Sequence, residues 1–261
     1  MNRLLIILLI FILASCSFTN KEKKNKTVQN KTTQVLSQTE IIESVLNQLK
    51  IEEKDCKTEL IAIKKIPRND TESILVIPEI VSEDEHFFEL NSHILIINSK
   101  TGKIISKFFE SSQTNEWVSD ALQMVEISID TAPYIVQKGK RAFGIKVRHL
   151  GSSKPNPYEI ETISLFIKNK KKLNRVLKNF EISDNSGEWD TDCAGEFNTE
   201  KKILIISDII TNEYYNIIVK NKIINSKTFI NKQGDCDEKE KTQTIKTILK
   251  FKDNGYIENV L

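Results

Sequence analysis

Ala142-Phe143-Gly144-Ile145-Lys146-Val147-Arg148-His149 sets the reading of the whole chain. Phe143, Ile145 and Val147 alternate with Gly144, Lys146 and Arg148. A period of two puts the apolar side chains on one face of a strand and the cations on the other, as in a sheet with one wet face. Further β-branched, apolar runs separated by short polar joints fall at 60–66, 73–81, 93–98, 103–109, 124–129, 162–168, 173–180, 203–206, 214–219, 223–230 and 244–251. Asn98-Ser99-Lys100-Thr101-Gly102 reads as a tight hairpin turn with glycine in the left-handed region. Lys168-Asn169-Lys170-Lys171-Lys172 and Lys220-Asn221-Lys222 read as similar joints. The expected fold is mainly β: an antiparallel sandwich-like arrangement of packed sheets with one N-terminal helix. A small β-propeller is the alternative. It needs hairpins at a steady period, and the similar ones here begin unevenly at 93, 164, 215 and 248.

Outside the strands, Ile41, Ile42, Val45, Leu46 and Leu49 make one helical stripe, which predicts a helix over 39–51 with Thr39 as N-cap. One or two helical turns are expected across 114–124, with Trp117 and Leu122 inward. Residues 179–199 read as a long loop at which the domain could divide into two lobes.

Upstream, Met1-Asn2-Arg3 is a short positive start, followed by an unbroken apolar run from Leu4 to Leu13. A bilayer-crossing helix needs about 20 apolar residues, so this run reads as a signal peptide over 1–15. Leu13-Ala14-Ser15-Cys16 resembles the lipobox of bacterial lipoproteins. The resemblance implies diacylglycerol on the Cys16 thiol, cleavage before Cys16 and acylation of the new amino group. Ser17 and Phe18, in place of an aspartate after the cysteine, imply the outer membrane, facing the periplasm, in a Gram-negative host. Residues 17–38 are rich in Lys, Asn, Gln and Thr and read as a disordered tether. The β-rich globular domain then covers 39–261.

The 261-residue chain carries a formal charge of +2, which falls to +1 when loss of 1–15 removes Arg3. So balanced a chain offers no electrostatic case for nucleic acid. With Cys16 lipidated, Cys56, Cys193 and Cys236 remain. Cys193 and Cys236 both sit in polar, acidic, turn-like stretches and are the expected disulfide, leaving Cys56 free. With no C-x-x-C pair, a zinc set is not expected.

The densest polar cluster is Asp184-Asn185-Ser186-Gly187-Glu188-Trp189-Asp190-Thr191-Asp192-Cys193-Ala194-Gly195-Glu196. Asp190 and Asp192 copy the opening of an EF-hand loop, but Ala194 stands where a third oxygen belongs and Lys201 where a bidentate glutamate belongs. They remain weak candidates for an irregular calcium site, and no metal or other cofactor is expected. Trp189 is the candidate binding residue, because tryptophan anchors interfaces. Ser152 lacks the G-x-S-x-G context of a hydrolase nucleophile. His86, His93 and His149 lack metal-ligand spacing, and there is no phosphate-binding glycine loop. Residues Thr131-Ala132-Pro133-Tyr134, Arg141-Ala142-Phe143-Gly144, 151–158 and 187–197 together resemble a family of uncharacterised bacterial envelope proteins, a resemblance that brings no activity with it. The expected function is a membrane-anchored, non-catalytic binding or structural module with a protein partner in the envelope. The alternatives are an inhibitor or immunity protein, and an envelope hydrolase with a carboxylate site.

Overall fold

The computed structural model describes residues 35–259. The expected signal peptide, Cys16 and the tether up to residue 34 lie outside the described residues. From Val35 onward the chain is one compact unit.

Helix α1 spans Gln38–Leu49. Its N-cap is Ser37, two residues before the expected Thr39. The Ser37 hydroxyl accepts the Glu40 N–H at 3.3 Å and the Glu40 carboxylate accepts the Ser37 N–H at 2.7 Å. This reciprocal box satisfies two of the N–H groups that a helix start leaves unpaired, which a threonine one residue inside the helix could not do. Lys50, at φ 62°, ends the helix in the left-handed conformation. Ile41, Val45 and Leu46 are buried against Leu75, Ile77, Leu95 and Ile97. Gly102 lies under the helix at φ +67°, where a Cβ would come within 2.9 Å of the Ile41 carbonyl oxygen. Gln48 ties the two together: its amide nitrogen donates to the Gly102 carbonyl at 2.9 Å and its oxygen accepts the Ile104 N–H at 3.0 Å. Ser37→Ala is expected to cost about 1 kcal/mol in urea unfolding. A loss of only a few tenths would mean that the box contributes nothing beyond the tertiary docking of α1.

The strands are β1 (Ala62–Ile66), β2 (Asn69–Glu83), β3 (Phe88–Asn98), β4 (Ile104–Glu110), β5 (Val118–Ser119), β6 (Leu122–Gln137), β7 (Lys140–Gly151), β8 (Tyr158–Asn169), β9 (Lys172–Trp189), β10 (Gly195–Thr211), β11 (Tyr214–Ile230), β12 (Cys236–Lys252) and β13 (Gly255–Asn259), with a single-turn helix α2 (Ser112–Asn115) before β5. Neighbours in sequence pair antiparallel in two meanders, β1 to β4 and β6 to β13. The two join where β4 meets β9 in parallel at Lys107 and Lys172. Thirteen strands among the described residues thus share one mixed, unclosed sheet. It folds so that its parts pack face to face. Ile74, Val76, Ile94 and Ile96 of the first meander meet Ile127, Ile129, Phe143, Ile145 and Phe166 of the second. A second core gathers Val136, Leu165, Ile167 and Val176 with Ile217, Val219 and Leu249. The fold is therefore the expected one, mainly β with antiparallel meanders packed face to face and one N-terminal helix. The alternation in β7 is real: Phe143, Ile145 and Val147 are all buried.

Several local expectations are corrected. Residues 179–199 are not a long loop: β9 and β10 pair from Ser183 with Lys201 to Trp189 with Gly195. Residues 214–230 are one strand, so Lys220-Asn221-Lys222 is not a joint. Trp117 is buried as expected, but Leu122 is exposed. It opens β6, whose ladder continues to the turn at Lys138-Gly139.

Candidate functional site

Beyond the second core, the far halves of β9 to β12 run on as an arm, with β8 paired alongside β9 as far as Tyr158 and Ser186. Its tip is the five-residue turn after Trp189. The Asp190 carboxylate accepts the N–H groups of Asp192 and Cys193, both at 2.9 Å, and the Asp190 N–H donates to the Ala194 carbonyl at 2.9 Å. These backbone bonds hold the Asp190 carboxyl below its usual range. Asp190 is thus engaged in closing the turn. Among the described residues no group of three or more His, Cys, Asp or Glu side chains converges on a common point. Cys193 and Cys236 are joined by a disulfide that ties this turn to the start of β12. The Thr228 hydroxyl on β11, between them, donates to the Cys193 carbonyl.

Trp189 is half-buried, not a flat exposed contact. Its indole N–H donates to the Lys154 carbonyl at 2.8 Å and its ring lies 6.5 Å from that of Phe197. Gly187 and Gly195 make room for this packing: a Cβ at Gly187 would come within 2.3 Å of the Phe197 ring, and one at Gly195 within 2.5 Å of the Trp189 Cβ. The end of the 151–158 loop docks on β9 as a continuation of the β8–β9 pairing that begins at Tyr158 and Ser186. Gly187 and Trp189 donate their N–H groups to the Pro157 and Pro155 carbonyls at 3.1 and 3.0 Å. Trp189 therefore clasps this loop to the arm.

Register then assembles what residue types alone did not reveal. Glu188, Glu196, Lys227 and Lys239 align across four strands, and so do Ser186, Asn198, Asn225 and Lys241. Both rows lie on the face that holds Ile217, Val219 and Leu249 further along, so a polar floor extends the apolar core outward. Together they line a hollow of about 640 Å³. Glu196 and Lys227 pair at 2.6 Å, which keeps the Glu196 carboxyl low, and the Asn198 amide donates to Asn225 at 3.1 Å. The floor is acidic on the β9–β10 side and basic on the β11–β12 side. Along β12 the outer edge is free: β13 pairs only from Ile248 onward, so among the described residues no strand covers 236–247. Whereas 223–230 reads as a strand from the sequence, 183–201 holds few apolar residues and reads as loop when only one wet face is sought.

Two of the four stretches singled out in the sequence lie elsewhere. In β6 the ladder passes from Asp130 to Tyr134 against only Gly144 to Ala142. Residues 131–133 bulge out, with the proline where no ladder N–H is needed. The Asp130 carboxylate accepts the Ala132 N–H and the Tyr134 hydroxyl, each at 2.8 Å. Burial, then the bond to Asp130, pushes the Tyr134 phenol above its usual range. A cleft of about 760 Å³ opens here, containing Lys146, Glu161 and Lys202. Three of its charged side chains are paired, Lys146 with Glu161 at 2.8 Å and Lys202 with Glu181 at 2.6 Å, while Lys201 also lines it. Where a carboxyl pKa shift is resolved, at Glu40, Asp190 and Glu196, it is downward.

The histidines are dispersed. His86 donates its N–H to Asp84, His93 contacts Glu79 at 2.9 Å, and His149 meets the Val118 carbonyl at 3.1 Å. Burial lowers the His149 pKa. As pH falls through the unfolded value of about 6.5, the unfolded chain takes up a proton that the folded chain resists, so stability drops. His149→Gln is expected to flatten the decline in unfolding free energy below that pH. An unchanged slope would place its cause elsewhere. Cys56 is free and buried, and desolvation followed by Glu79, Asp55 and Glu53 pushes its thiol up to about 11.

No family model, curated protein or solved structure matches this chain.

Proposed function

We propose that this chain is a lipid-anchored envelope protein whose arm is a non-catalytic binding module for a protein partner. The observation that carries the reading is the polar floor of the arm beside a free strand edge. An extended segment laid along 236–247 of β12 would find unpaired main-chain groups for β-addition, with side chains of both signs beside them. The Lys and Glu residues of that edge discourage unspecific pairing between copies. The disulfide and the Trp189 clasp hold the arm in place before binding, which reduces the ordering cost of association. Placement at a membrane comes from Leu13-Ala14-Ser15-Cys16, and the partner is then a protein of the same compartment. The hydrolase alternative draws less support, because in the cleft beside the 131–133 bulge Glu161 is paired with Lys146 and Asp130 accepts the Ala132 N–H and the Tyr134 hydroxyl.

Two measurements test the two halves. Mass spectrometry of the purified protein should find an acylated Cys16 at the mature N-terminus, and a free amino terminus downstream of residue 16 would remove the anchor. A photo-crosslinking side chain at Lys239 should trap one discrete envelope protein in cells, while the same group at Lys138, on the β6–β7 turn, should not. Equal trapping at both positions, or none at Lys239, would remove the arm as a binding site.

A further inference from the structure

The opposite face of the same strands has a different character. Ile205, Ile218 and Ile248 align across β10, β11 and β12, and the next row is Ile203, Lys220 and Lys246. Lys201 and Lys222 follow on one side, and Lys250 with Ile257 on the other. Ile203, Ile205 and Ile257 are 61%, 44% and 48% exposed. Every charged residue at these register positions is a lysine. Carboxylates border the patch without pairing with its lysines: Asp208 is in the bulge between Ile206 and Ile210, Glu258 is opposite the core residue Leu249, and Glu240 is three same-face positions beyond Lys246, while Asp130 and Glu161, which share a cleft with Lys201, Ile203 and Ile205, are engaged by Tyr134 and Lys146.

We propose that this isoleucine–lysine face of β10–β12 docks on an anionic lipid bilayer surface. The charge pattern selects the occupant. A protein partner would have to bring an acid for each of five ammonium groups around an apolar centre. An anionic bilayer offers both parts at once: headgroup phosphates lie at the level that lysine side chains reach, and the acyl boundary lies just beneath. Open isoleucines and unneutralised lysines on one face of a sheet also match the surfaces that bind membranes without spanning them. Among the described residues no helix is long and apolar enough to cross a membrane, and surface docking requires none. The inference goes beyond the acyl anchor and does not need it, because the face belongs to the compact unit that begins at Val35.

The test uses residues 35–261, without lipid, and vesicles of phosphatidylcholine with or without phosphatidylglycerol. Binding is expected only to the anionic vesicles and is expected to weaken with salt. Lys220→Gln with Lys246→Gln should lower the partition coefficient roughly thirtyfold, while Lys138→Gln with Lys140→Gln, on the β6–β7 turn, leaves it within about twofold of wild type. In Ile203→Trp, fluorescence above the wild-type background should be quenched by brominated lipid. Circular dichroism confirms that each variant is folded. Equal binding to neutral vesicles, no loss in the Lys220/Lys246 variant, or an unquenched signal would each overturn the proposal. Capture of an acidic protein without vesicle binding would overturn it in favour of a protein interface. Since the acyl group is absent throughout, these outcomes are independent of the fate of Cys16.

Discussion

Replacing Cys193 and Cys236 together by serine is expected to lower the unfolding free energy by about 4 kcal/mol and the melting temperature by about 10 °C. The bond closes a loop of 43 residues containing β10 and β11, and the loss follows from the entropy that this closure removes from the unfolded chain. The structure adds a reason for the arm to depend on it. The floor at this end is made of Glu188, Glu196, Lys227 and Lys239, so little apolar burial holds the strands there. Hydrogen exchange should therefore rise first in 183–201 and 223–243 when the protein is reduced, while β2, β3 and β8 keep their protection. Reductant should shift the melting point of the wild type and leave the serine variant where it is. A reduced wild type that melts at the oxidised temperature would mean that Trp189, Phe197 and the 151–158 loop suffice to hold the arm.

Where one face of a strand is wet and the other dry, the pattern was readable. β7 and α1 were found from Phe143, Ile145 and Val147, and from Ile41, Val45 and Leu46, because burial imposes a period on them. The expectation failed where that condition lapses. In 183–201 the only large apolar side chains are Trp189 and Phe197, too few to set an apolar period, and the hydrogen-bonded ladder keeps the chain extended. Lys220-Asn221-Lys222 looked like a turn for the same reason. In the structure the two lysines point outward, while Asn221 is 6% exposed and donates to Glu200 at 2.7 Å. That is period two written in polar residues. The 640 Å³ hollow was invisible for a further reason: its eight polar side chains come from four strands, and only the register between strands, a non-local property, aligns them. The tip turn lay within the segment flagged from Asp184 to Glu196, since a sharp turn needs its own aspartate and glycine whatever the partner.

Phe166→Ala is expected to cost about 4 kcal/mol in urea unfolding, as for a fully buried aromatic replaced by a methyl group. Phe166 is 1% exposed on β8. Its ring meets Phe108 of β4 edge-on at 5.1 Å and stacks with Phe143 of β7 at 5.8 Å. It thus joins the two meanders where strand pairing between them is confined to the short β4–β9 contact. The Arg175 guanidinium sits 5.4 Å over the Phe108 ring and pairs with Glu110, closing this junction from the β9 side. A cavity here cannot refill easily, because its walls are ladder strands held on both sides. Phe109, next in sequence to Phe108, supplies the control. It points the other way, is 54% exposed, and on truncation should change stability by no more than about 0.5 kcal/mol. Comparable losses for Phe166→Ala and Phe109→Ala would contradict the face-to-face packing of the two meanders, since that packing is what separates one phenylalanine environment from the other.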